Sequence, residues 1–220
     1  MCTRRGLPLL AAALLPGIAG AGTWPQPDLP AGTDAADVSR HIVFNGLDMH
    51  ARVFTSSQSQ AEVVAFYRKL WNGRVVVNPM GAAQVVGHME GDYYVTVQVS
   101  ASGRGSKGNI GIVDVATAPK HFERGKGLPR PMGSTVFNDI AYPDDPTPAR
   151  TVAMRNRLSP RQNEAFFRER LGADGWKPAD ANRCADDGCV LRYERGDSRM
   201  TLVMSPLDGQ SQVTINLLNP

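Results

Sequence analysis

Asp48 and His50 are the pair of side chains whose spacing best suits proton chemistry. At i and i+2 of an extended segment they share one face, so the carboxylate can orient the imidazole as a general base. A hydrolase working through that pair would need a nucleophile, and the chain carries neither a G-x-S-x-G elbow nor an unpaired thiol after its leader. The bland reading of Asp48 and His50 is a surface acid beside a half-buried histidine, and it is the one adopted. His41, His50, His88 and His121 show no H-x-x-x-H or similar spacing, so no metal site is expected. Asp139, Asp144 and Asp145 lack the D-x-D-x-D-G pattern of a calcium loop and read as an acidic solvated stretch. Gly103, Gly105 and Gly108 resemble a phosphate cradle only by count, because no helix follows them and no Lys-Ser pair closes them. No cofactor is expected.

Cys184 and Cys189 enclose Ala-Asp-Asp-Gly, and an even pair across a turn signal predicts a disulfide stapling two strands. A six-residue ring is worth about 2 kcal/mol by chain entropy. Residues 116–133 carry Lys120, His121, Arg124, Lys126 and Arg130 with Glu123 as the only acid, among prolines and glycines. They read as a basic linker. Lys120, Arg124, Lys126 and Arg130 are the candidates for gripping an acidic partner, against the simpler reading of a solvated connector.

The elements that must position these groups come from a repetition. SQAEVVAFYRKL (59–70) recurs as SPRQNEAFFRER (159–170), with Ser, Ala, Phe and Arg identical at matching positions. Ser59 with Glu62, and Ser159 with Gln162, predict capping boxes, and Pro160 suits the first helical turn. Val63, Phe66, Tyr67 and Leu70 form the apolar stripe of a helix, with Phe66 and Phe166 expected as its cover over a core. Asn45-Gly46 signals a hairpin, and Asn72-Gly73 a left-handed helix stop. Val95, Val97 and Val99 alternate with polar residues, as do Val213, Ile215 and Leu217. Val136 to Ile140 matches Val43 to Leu47.

These signals predict an α+β fold of two tandem repeats, 38–115 and 134–220. Each is a mostly antiparallel sheet crossed by one helix, in the order β-β-α-β-β-β. Residues 22–37 read as an extended arm holding Trp24, and 116–133 as the linker between repeats.

Residues 1–21 read as a cleaved signal peptide: Arg4 and Arg5, the apolar run Leu7 to Ile18, then Ala19-Gly20-Ala21. The two arginines fit either a general or a twin-arginine signal. Removing this segment takes away Arg4 and Arg5 and no acid, leaving 22 basic against 21 acidic side chains. A near-neutral mature chain has no global field for nucleic acid or anionic lipid, and nucleic acid is not an expected partner. No later stretch holds the roughly 20 apolar residues of a membrane anchor.

The motif Asn45-Gly46, Ala51-Arg52, Phe54, Ser56, then Phe66-Tyr67-Arg68 and Trp71, with Phe166-Phe167-Arg168, Leu171 and Gly175-Trp176 in the second half, resembles uncharacterised exported proteins of Gram-negative bacteria. The resemblance covers most of the mature chain, implies an exported scaffold and lends no activity. The sequence therefore leads us to expect a periplasmic or secreted, non-enzymatic binding or assembly module. Its partner would be another envelope protein, as for an accessory of a secretion or pilus system, with the Asp48/His50 hydrolase as the alternative.

Overall fold

The computed structural model describes residues 24–39, 41–179 and 182–220. The expected signal segment, 1–21, lies outside the described residues.

Seven strands and one helix come first: β1 (Thr33–Asp37), β2 (Ile42–Phe44), β3 (Leu47–Ser56), α1 (Gln60–Leu70), β4 (Val76–Met80), β5 (Ala83–Glu90), β6 (Tyr93–Ser102) and β7 (Gly105–Asp114). The second half holds β8 (Thr135–Tyr142), β9 (Ala149–Asn156), α2 (Pro160–Ala173), β10 (Lys177–Pro178), β11 (Arg183–Ala185), β12 (Gly188–Arg195), β13 (Ser198–Leu207) and β14 (Gln210–Leu218). All pairings are antiparallel, and the fold is α+β. One sheet runs in the order β10-β12-β13-β14-β9-β8-β2-β3-β7-β6-β5-β4, with β1 beside β3 and β11 beside β12. The ladder therefore does not break between the halves. It crosses at a short seam where Val43 faces Ala141 and Phe44 faces Ile140.

Both helices form where the caps dictate. Ser59 and Glu62, and Ser159 and Gln162, make reciprocal capping boxes, with Pro160 in the first turn of α2. The Glu62 carboxyl is held below its usual range by the Ser59 hydroxyl and then by the Ser59 N–H. Asn72 and Gly73 stop α1 with φ of 52° and 75°, and the Gly73 N–H reaches back to the Arg68 carbonyl.

The helices share one face of the sheet. Directly paired residues point the same way and alternate residues along a strand do too. Val43 pairs with Asp48, which puts His50, Arg52 and Phe54 on that face; through Ala141 and Arg150 it also puts Val152 and Met154 there. Phe54 belongs to the core under α1, and Val152 and Met154 to the core under α2. These are two separate cores, one on either side of the seam.

The aromatic cover lies one position later than the sequence suggests. Phe66 and Phe166 are half-buried, while Tyr67 and Phe167 are fully enclosed, because a helix on a twisted sheet points its 63-67-71 and 163-167-171 rows straight down. Trp71 stacks on Tyr67, and His88 stacks on Trp71 with centroids 4.6 Å apart. Where α1 has Val63, α2 has a wholly buried Asn163. It is satisfied: its Nδ2 donates to Asn156 Oδ1 (3.1 Å) and to two carbonyls, and Asn156 Nδ2 donates back to its Oδ1 (2.8 Å).

Two expectations need correcting. The described part of the arm, 24–37, is packed rather than loose. Residues 33–37 form β1, Trp24 lies 5.2 Å from the Tyr93 ring, and Leu29 joins the α1 core. The match of Val136–Ile140 with Val43–Leu47 also fails in space. Asn45-Gly46 is a hairpin turn with φ of 51° and 85°, whereas Asn138-Asp139 runs straight on in β8. The register of β8 instead follows β1. Asp37 faces Arg52 on β3, and Asp139 faces Val152, the matching position of β9. The far ends correspond too: Thr33 donates to Ser56, and Asn156 donates to Ser134. The extra residue on β8 is absorbed by a bulge between Val136 and Asn138.

Candidate functional site

The titratable groups of the first half are dispersed by the strand register. Asp48 and His50 do point to the same face, but each has its own partner. His41 Nε2 lies 3.1 Å from Asp48 Oδ1 and its Nδ1 lies 3.3 Å from Asp144 Oδ2, while His50 Nε2 sits 3.6 Å from Asp37. Among the described residues no serine hydroxyl joins either imidazole: Ser39 Oγ donates to Asp145 at 2.6 Å and meets only the backbone of His41. His88 bonds the Arg74 carbonyl, and His121 is exposed in the linker. Among the described residues no group of three His, Cys, Asp or Glu side chains is arranged to hold a metal.

Among the described residues, the buried polar atoms His50 Nδ1, the Tyr67 hydroxyl and Ser106 Oγ have no partner. Burial pushes the Tyr67 phenol up to about 12. The second half places Phe167 at the matching helix position, so the hydroxyl is an addition the packing does not need.

At the seam the strongest electrostatic feature is Asp139, 3% exposed. The acidic-loop reading of this residue does not hold. It reaches diagonally to Arg150, on the same face of β9, accepting two bonds of 2.9 and 2.8 Å, and accepts the Gly125 N–H at 2.7 Å. Burial pushes its carboxyl up, but these bonds outweigh that and leave it below the usual carboxylate range, while the Asp139 carboxylate raises Arg150 in turn. Arg150 also donates to the Lys126 carbonyl. The linker is thus pinned across the centre of the helix face, and Phe122 lies where a side chain on Gly46 would have to go. Of the four linker cations, Arg130 pairs with Glu123 at 2.8 Å. Lys120, Arg124, Lys126 and Arg130 all remain exposed.

Cys184 and Cys189 form the expected disulfide, facing each other across β11 and β12 beside an Asp186-Asp187 turn.

What the seam leaves unpaired distinguishes it most. β2 is only three residues long, so it covers only the far end of β8, and β1 lies past that end. Two inner edges remain open among the described residues: the outer side of β1, and the Thr135–Asn138 side of β8 that faces away from β9. The bonds from Val38 N–H to Ala51 and from Ser57 N–H to Gly32 show that the even-numbered residues of β1 turn toward β3. Thr33, Ala35 and Asp37 therefore aim their N–H and C=O outward.

Each open edge adjoins a groove. One of about 280 Å³ is lined by Asp34, Ala35, Ala36, Val53, Phe54 and Thr55. The other, about 700 Å³, lies against Thr135 and Phe137 with Met132, Arg155, Arg157 and Leu158. Met132 is fully exposed, Phe137 is 39% exposed with the Arg155 guanidinium 5.0 Å from its ring centroid, and Val53 is 49% exposed. The rims of the sheet are different. β4 carries Pro79, β10 is Lys177-Pro178, and β11 is three residues held by the disulfide. Proline removes the ladder donor of an edge outright, and β1 and β8 carry none; β1 instead holds Asp34 and Asp37, and β8 a bulge at its open end.

The disulfide and the imidazoles carry sequence motifs; sheet edges open to a partner strand go with an α+β module of this kind, but no motif marks which strands they are. In Thr-Asp-Ala-Ala-Asp only Thr33 favours a strand, and pairing with β3 makes it one. Comparison with protein-family models, with curated proteins and with solved structures returned no match for this chain.

Proposed function

We propose that the chain is an exported, non-enzymatic assembly module of the cell envelope that takes up an extended segment of a partner by strand addition at its seam. The observation carrying this reading is the contrast between rims closed by proline or by the disulfide and inner edges that hold no proline, each inner edge bordered by exposed apolar side chains. A disulfide suits an oxidising compartment, and no described helix is long and apolar enough to cross a membrane.

We also read the two halves as copies of one ancestral unit. The support is the strand order, which runs identically outward from the seam on both sides, together with the shared register of β3 and β9 against β1 and β8. On this reading the unit begins near Pro30 and Pro131, both buried, so the Pro-Gly arm and the end of the Pro-Gly linker are one element.

Ala35→Pro tests the reading. It removes an outward N–H that no described neighbour uses, leaving the β1–β3 ladder intact. Pull-down from a native envelope extract is expected to lose a partner that the wild-type chain retains. An unchanged set of partners, with the variant folded, would contradict strand addition at β1.

A further inference from the structure

The two open edges carry opposite charge. The β1 groove presents Asp34 with no cation among its lining residues, while Asp37, at the end of the same strand, is paired with Arg52 at 3.7 Å and leaves Asp34 as the acid of this edge. The β8 groove presents Arg155 and Arg157 with no acid among its lining residues. Both edges are short stretches of comparable length, each flanked by exposed apolar side chains. Within one molecule they cannot meet, because β8 pairs with β2 and stops before it reaches β1.

Direction completes the match. β1 and β2 both run antiparallel to β3, and β8 runs antiparallel to β2. A second copy displaced along the strand axis therefore brings its β8 antiparallel to β1 of the first. Resting on the strand-addition reading above, we infer that the segment taken up is a second copy of this chain, its Thr135–Asn138 edge laddered onto Thr33–Asp37. Asp34 would lie near Arg155 and Arg157 of the next copy, and Met132 and Phe137 would cover Ala35, Ala36 and Val53. The two surfaces differ, so the contact is head-to-tail. Each copy keeps one edge free, and a simple translation does not close. The product is an open filament whose length grows with concentration.

Sedimentation velocity on the purified mature chain, from micromolar to millimolar, tests this. The expected result is a weight-average mass that rises continuously with concentration and falls with added salt. Asp34→Arg alone and Arg155→Asp with Arg157→Asp are each expected to abolish the rise. An equimolar mixture of the two variants is expected to restore it, since each then offers the other an opposite charge. All three positions are exposed, so folding is not at stake, and circular dichroism checks it. A monomer at every concentration, a closed dimer, or association indifferent to the charge variants would overturn the inference. A monomeric chain whose Ala35→Pro variant still loses its envelope partner overturns self-assembly alone. A monomer with an unchanged partner set overturns both readings.

Discussion

Phe167→Ala is expected to destabilise the chain by about 3–5 kcal/mol, because it empties a fully enclosed site beneath α2. Phe166→Ala, at the adjacent half-buried ring, is expected to cost markedly less, since solvent already reaches that side chain. Denaturant titration of the two variants measures the difference. The Phe167 ring packs edge-on to Phe166 with centroids 5.2 Å apart and sits among Met154, Leu171, Leu202 and Ile215, so little around it can collapse into the void. Equal losses for the two variants would mean that α2 is rotated about its axis from the geometry described. The pair also separates stripe from core: a helical stripe read from sequence contains both rings, and only packing decides which one is enclosed.

Asp139→Ala is expected to cost about 3–5 kcal/mol as well, for an electrostatic reason. It would leave the Arg150 guanidinium half-buried without its anion and the Gly125 N–H buried without an acceptor, releasing the linker from the seam. The pH dependence follows from the lowered carboxyl. A group whose folded pKa lies below its unfolded value contributes fully above the unfolded pKa, about 4 for an aspartate, and loses that contribution as pH falls through the folded value. The stability gap between the wild-type chain and Asp139→Asn is therefore expected to be widest at neutral pH and to close below about pH 4. Thermal melts across that range measure it. A gap constant with pH would show that Asp139 acts by shape and not by charge.

The sequence was most informative where local rules act alone. Capping boxes, the Asn45-Gly46 hairpin, the Asn72-Gly73 stop and the cysteine staple are set by residues within a few positions of one another, and each stands where its residues imply. The α+β class followed from period-two and helical patterns of ordinary strength. Long-range pairing was not legible. Thr33–Asp37 is polar and alanine-rich, so nothing in it announces a strand until β3 lies beside it. The Asp139–Arg150 pair spans eleven positions and depends on a bulge that moves Asp139 onto the helix face. The matching of Val136–Ile140 to Val43–Leu47 misled because the shared Val-Phe-Asn leads into a turn at Gly46, with φ of 85°, in one half and into a bulged strand at Asp139 in the other. Open edges are defined by what fails to pair, and no single segment encodes that.

Amide hydrogen exchange, residue by residue, on the chain alone and in its assembled state bears most directly on the central claim. We expect new protection at the outward amides of β1, at Thr33, Ala35 and Asp37, and along residues 135–138 of β8, with none gained on β4, β10 or β11. Protection appearing on those outer strands, or on the exposed faces of α1 and α2 while β1 and β8 exchange as before, would contradict the account.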